Sequence, residues 1–237
     1  NDQSATGAGK SLAGVEAYRA SNHATDPGGD LLFSTNASGG SYTEKMRIDS
    51  AGKVGIGVTP SASWDANIDC LQVGEQSSIW AGDTDYTDAT WIGTNVYQTG
   101  GTTKYLTNGV ASVYGQQGGN HYWYGYSSGS ADATVSGNEV MRIDTAGHVT
   151  MPLQPAFLAT ISSEQSNIAN GATITFDNEI YDRNGDYNNS SSAATINGAS
   201  TTAYTFNAPV SGIYQISAVV RTNDLDSAST YWMMRIN

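Results

Sequence analysis

Aliphatic side chains are scarce in this chain. Leu, Ile, Val and Phe make up about one residue in six of 237, and below about 20%, with a high net charge, the usual expectation is disorder. Cysteine occurs once, as Cys70, which excludes an internal disulfide framework. Cations are few: 10 Lys and Arg stand against 22 Asp and Glu, for a net charge of −12. Nucleic acid and anionic membranes recruit clustered Lys and Arg, so neither is expected as a partner. No run approaches about 18 apolar residues, and no charged start precedes an apolar core, so neither membrane insertion nor a signal peptide is expected. A chain assembled inside a cell and released by lysis would look like this, and so would a trimmed fragment.

What is present argues against disorder. The chain holds 14 Tyr and 5 Trp with only 5 Pro, and apolar residues alternate along several stretches. "TITF" (173–176), "AYTF" (203–206), "GIYQISAVV" (212–220) and "STYWMMRI" (229–236) read as strands. Helical spacing never persists, because Gly, Asn, Ser and Thr interrupt every candidate. The expected class is all-β. A chain this poor in aliphatics can fold by sharing a core between copies, so oligomerisation is expected too.

One phrase occurs twice, "MRIDSAGKVGIG" at 46–57 and "MRIDTAGHVTMP" at 141–152. Met46 and Ile48 share one strand face, and Val54, Ile56 and Val58 share a face of the next. Ser50-Ala51-Gly52 between them reads as a three-residue hairpin loop with Gly52 in the left-handed position. Asp49 is placed to accept the loop's backbone amides. Asp144, Thr145, Ala146 and Gly147 repeat the turn. Gly55 and Gly57, on the opposite face, predict another backbone nearby. Each copy closes a longer unit with a different middle, as a spacer module reused along a shaft does.

The wording "EKMRIDSAGKVGIGVTPS" resembles the repeats of phage tail fibres and related virion fibres. The second copy departs from it where "HVTMPLQP" replaces the Gly-x-Gly part. Residues 156–237, with "PAFLATIS", "ITFDNEIYDRNGDYNNS" and "NAPVSGIY", resemble the complement and tumour-necrosis-factor-like jelly-roll heads. The two resemblances imply an elongated, intertwined homotrimeric fibre. Its β-hairpin shaft repeats would occupy 1–64 and 65–155, and an incomplete jelly-roll β-sandwich head 156–237. They further imply that Phe157, Phe176, Phe206 and Tyr214 pack subunits together. The implied place is the virion, and the implied partners are copies of the chain, other virion proteins, and a host-surface glycan or protein receptor. The implied role is non-covalent attachment, without catalysis. A bacterial adhesin with a lectin-like head is the alternative, and a capsule-degrading fibre enzyme the third class.

Other motifs read as structure first. "GAGKS" (7–11) lacks the first glycine of a phosphate loop and reads as an entry segment. "GYSSG" (125–129) formally fits a nucleophile elbow, with Asp144 and His148 further along the chain, but its Gly/Ser-rich β surroundings do not supply strand-turn-helix. "DTDYTD" (83–88) and "DRNGDY" (182–187) place oxygens at alternate positions, so Asp182, Asn184 and Asp186 are candidate calcium ligands against the reading of a solvated turn. In "HYWYGY" (121–126), alternation puts Tyr122, Tyr124 and Tyr126 on one strand face and Trp123 on the other. These four aromatics are candidates for glycan contact, against plain packing.

Overall fold

The computed structural model describes residues 13–19, 28–37, 41–82, 88–169 and 171–223. Every regular element among them is a strand, and among these described residues no helix is long and apolar enough to cross a membrane. The chain divides into two compact units, Asn1–Gln154 and Pro155–Asn237.

The first unit begins with β1 (Ala13–Arg19), β2 (Gly29–Asn36), β3 (Tyr42–Ile48) and β4 (Val54–Ile56). Next come β5 (Ile68–Val73), β6 (Ser77–Gly82), β7 (Ala89–Thr94), β8 (Val96–Thr99) and β9 (Thr102–Tyr105). It ends with β10 (Gly109–Gln117), β11 (Asn120–Gly129), β12 (Gly137–Ile143) and β13 (Val149–Thr150). All but β8 and β9 join one open eleven-stranded sheet in the order β1-β2-β3-β4-β5-β6-β7-β10-β11-β12-β13. Neighbours are antiparallel except β4 and β5, which run parallel.

β8 and β9 form a separate hairpin over one face of this sheet, and the core lies beneath it. Val96, Tyr97 and Tyr105 from the hairpin pack with Trp64, Ile68, Cys70, Trp80 and Trp91. Trp80 stacks on Trp91 with ring centroids 6.4 Å apart, and Trp64 lies 5.7 Å from Trp80. The hairpin is tied down by polar contacts as well. Ser78 Oγ donates to the Val96 carbonyl at 3.1 Å, and the buried Asn95 amide donates to the Thr107 and Val110 carbonyls. Each aromatic ring buries about 150–250 Å², so a few rings offset the aliphatic deficit. One chain thus gathers a buried aromatic core of its own.

Glycine makes room for the rings. A Cβ on Gly115 would run into the six-membered ring of Trp91, and one on Gly93 into Trp80 and Val96. β4 is shorter than the sequence suggests, because Gly57 takes φ +69° and donates to the Lys45 carbonyl, which ends the strand before Val58. The chain then doubles back, setting the Val58 carbonyl and Pro60 against Gly55.

The second unit contains β14 (Phe157–Thr160), β15 (Asn178–Asp182), β16 (Tyr187–Asn188), β17 (Ala194–Ile196), β18 (Ala199–Thr201) and β19 (Thr205–Phe206). They pair as three two-stranded sheets: β14-β15, β16-β19 and β17-β18. Residues 173–176 and 212–220 are not strands, and 203–206 yields only β19, contrary to the alternation in their sequences. Alternation prepares a strand's two faces, but a ladder also needs a neighbour, and no described segment pairs with 212–220. Ile213 and Val219 there stand fully out in solvent. The stretch 229–236 lies outside the described residues.

Candidate functional site: the repeated hairpins and the bare sheet face

The two copies of the repeated phrase fold identically at the turn. Gly52 and Gly147 each sit at φ +84°, where an L side chain is strained. Asp49 Oδ1 accepts from the backbone amides of Ala51 at 2.9 Å and Lys53 at 2.8 Å. Asp144 Oδ1 accepts from Ala146 and His148, both at 2.9 Å. These amides and the His148 side chain, 3.0 Å from Oδ2, hold the Asp144 carboxyl below the usual aspartate range, with the His148 amide the largest cause.

The likeness continues beyond the turn, into residues whose role sequence reasoning missed. Register slips by one residue between Phe33 and Ser34 opposite β3, and between Trp123 and Tyr124 opposite β12, so Lys45 and Val140 are bulged. Glu44 pairs with Arg47 at 2.7 Å, and Glu139 with Arg142 at 3.7 Å. Asp30 accepts from the Ser50 amide at 2.9 Å and pairs with Arg47 at 2.7 Å. Asn120, its counterpart, accepts from the Thr145 amide at 3.2 Å. Gly28-Gly29-Asp30 and Gly118-Gly119-Asn120 were the signal in the sequence. Each opens the strand paired with the one that leads to the turn, β2 beside β3 and β11 beside β12, and its polar side chain ties that partner strand to the turn's first loop residue.

The two faces of the sheet differ sharply. The covered face carries the rings and also two separate charged clusters, Asp30, Arg47 and Glu44 on β2 and β3, and Glu139 with Arg142 on β12. On the other face, register aligns one residue per strand: Ala17, Leu31, Ile48, Val54 and Leu71 on β1 to β5. Ile79, Ile92, Tyr114, Trp123 and Met141 continue the row on β6, β7, β10, β11 and β12. A second row, Val15, Phe33, Met46, Ile56 and Val73, runs beside its first half. Neither row contains Asp, Glu, Lys or Arg; Asp69 is the charged residue that alternation places on this face of β5. Val15, Leu31, Ile56, Val73, Ile79 and Ile92 are between 38% and 65% exposed. They leave roughly 500 Å² of apolar surface bare, as much as the largest patch on a typical monomer, about 300–600 Å².

Of the "HYWYGY" aromatics, Tyr122, Tyr124 and Tyr126 stack as a ladder against the core, with centroids 6.0 and 6.2 Å apart. Burial pushes the Tyr126 phenol up to about 12. Trp123 lies on the open face, 5.1 Å from Tyr114. The Tyr114 hydroxyl lies 2.7 Å from His121 Nδ1. The structure therefore separates the four glycan candidates, leaving Trp123 with Tyr114, a residue that the motif did not contain. Ser127 of "GYSSG" lies within β11, and its carbonyl accepts from the Tyr105 hydroxyl.

Asp182 Oδ2 accepts from the Tyr187 amide at 2.7 Å, and buried Asp186 accepts from Asn197 at 2.8 Å. Asn184 is exposed beside Gly185, at φ +74°. Among the described residues no group of three or more His, Cys, Asp or Glu side chains is arranged to hold a metal. Phe157 stacks on Tyr187 at 5.0 Å and on Phe206 at 4.9 Å, and Phe206 meets Tyr214 edge-on at 5.5 Å. The Tyr187 hydroxyl donates to the Phe176 carbonyl. Phe157, Tyr187, Phe206 and Tyr214 thus pack on one another within one chain, and Phe176 joins them through its backbone carbonyl. "GAGKS" and residues 83–87 of the first acidic stretch lie outside the described residues. Searches of family models, curated proteins and solved structures find no match to this chain.

Proposed function

We propose that this chain is a structural, non-enzymatic component of a virion fibre that reaches a host surface and attaches to it non-covalently. The observation that carries the reading is the module of the first unit. A hairpin with one turn, one bulge, one Glu–Arg pair and one Asp or Asn tether recurs, and the parallel pairing of β4 with β5 joins the first copy to the strands of the second. Repeating such a module lengthens a sheet strand by strand, at about 4.8 Å per strand, which is what a spacer requires. Three chains would assemble with their sheets along the fibre, and residues 156–237 would close into a jelly-roll head. The head would meet a glycan or protein receptor, and the opposite end would meet other virion proteins.

The test uses the intact chain. Antibody against it should decorate the fibres of phage particles in electron micrographs, and the purified chain should compete with those particles for host cells. Decoration of a bacterial surface with none on particles would replace this reading with the adhesin. Release of reducing ends from host polysaccharide would replace it with the enzyme.

A further inference from the structure

We infer that the bare face of the first unit's sheet is where copies of this chain meet, around an axis that runs along the apolar row and across the strands. The inference deepens the fibre reading by naming the surface and the partner, and it rests on that reading only for the number of copies.

Three observations select a second copy as the occupant. Size is the first. The six most exposed side chains account for roughly 500 Å², and half-buried Phe33, Met46, Tyr114 and Trp123 extend the patch towards the roughly 800 Å² per partner of a stable interface. Charge is the second. Copies carrying −12 each repel one another, and these two rows are a stretch of surface where two such chains can touch without setting like charges together. Shape is the third. The longer row advances one strand at a time over ten strands, roughly 43 Å at the spacing of a sheet. A partner matches that period if it is the same sheet, rotated about an axis parallel to the row. Each side chain then meets its own counterpart at the same height, Ile79 against Ile79 and Ile92 against Ile92. A short glycan or peptide would cover only a few strands of such a strip.

Ile79 and Ile92 are the positions to perturb, since both are register partners at mid-sheet and well exposed within one chain. The full-length chain carrying Ile79→Glu and Ile92→Glu should keep its far-ultraviolet β spectrum. Its light-scattering mass should fall from a multiple of 24.9 kDa to 24.9 kDa itself. In a second arm, Ile92→Cys should be linked between chains by a short bifunctional thiol reagent, while Glu75→Cys, in the exposed β5–β6 turn, should not. Buried Cys70 provides the background for both. A double variant that is folded and keeps the wild-type mass would overturn the inference, while leaving the fibre reading in place. A wild-type assembly of two copies that the double variant dissolves would support the face and overturn the threefold count. A wild-type chain of 24.9 kDa at micromolar concentration would overturn both, and would hand the face to a foreign ligand.

Discussion

Replacing Asp30 tests whether the turn is held by a tether from outside the repeated phrase. The carboxylate is 5% exposed and splits its work: Oδ1 receives the Ser50 amide and Oδ2 receives Arg47. Arg47 is also held by Glu44 at 2.7 and 2.9 Å, so removing Asp30 does not leave a lone buried cation. Breaking a fully buried pair costs about 3–5 kcal/mol; here the surviving Glu44 should hold Asp30→Ala to about 3 kcal/mol, consistent with about 1.5–3 for a hydrogen bond to a charged group. Asp30→Asn puts in place the residue that the second copy already uses at 120. It keeps an acceptor for the Ser50 amide but turns its NH2, a donor, towards Arg47, which can lean on Glu44 instead, so its cost should be about 1–1.5 kcal/mol. Urea unfolding followed by tryptophan fluorescence, at one fixed chain concentration, gives both values. A cycle with Arg47→Met should show coupling of about 1 kcal/mol or more. If Asp30→Ala lies within about 0.5 kcal/mol of wild type, or if Asn is as costly as Ala, the tether has been misassigned.

The same geometry sets other outcomes. Gly52→Val and Gly147→Val should each cost about 1–2 kcal/mol per chain, because φ +84° admits no β-branched residue without strain; an unchanged melting curve for either would refute the turn. Burial pushes the Cys70 thiol up to about 11, so a thiol reagent at neutral pH should label the folded chain far more slowly than the urea-unfolded chain. Asp144 titrates lower folded than unfolded. Its support of the turn should therefore be complete above the unfolded value of about 3.9 and fade as pH falls through the folded one. Amide shifts of Ala146 and His148 followed through that range in an NMR titration should move together, below the midpoint of a free aspartate. Tyr126 should ionise only near 12 in an ultraviolet titration, above the value of about 10 for a free phenol.

The turn was legible in the sequence because its physics is local. Asp, two loop residues and Gly within five positions choose a left-handed residue and satisfy the loop amides, whatever surrounds them. Alternation likewise parted Tyr122, Tyr124 and Tyr126 from Trp123, since side chains on a strand must point to opposite sides. Which side becomes core is not a local matter. It was decided by the β8–β9 hairpin, whose Val96, Tyr97 and Tyr105 cover one face and leave Ile79 and Ile92 bare on the other. Only the tertiary structure could place Asp30 beside Ser50, 20 residues along the chain. The same holds for Gly115 beneath the Trp91 ring, a closeness set by register between β7 and β10. Residues 212–220 mark the limit from the other side. Their alternation is as regular as any in the chain, yet they form no strand, because a ladder's hydrogen bonds come from a neighbour, and the neighbour is supplied by the fold.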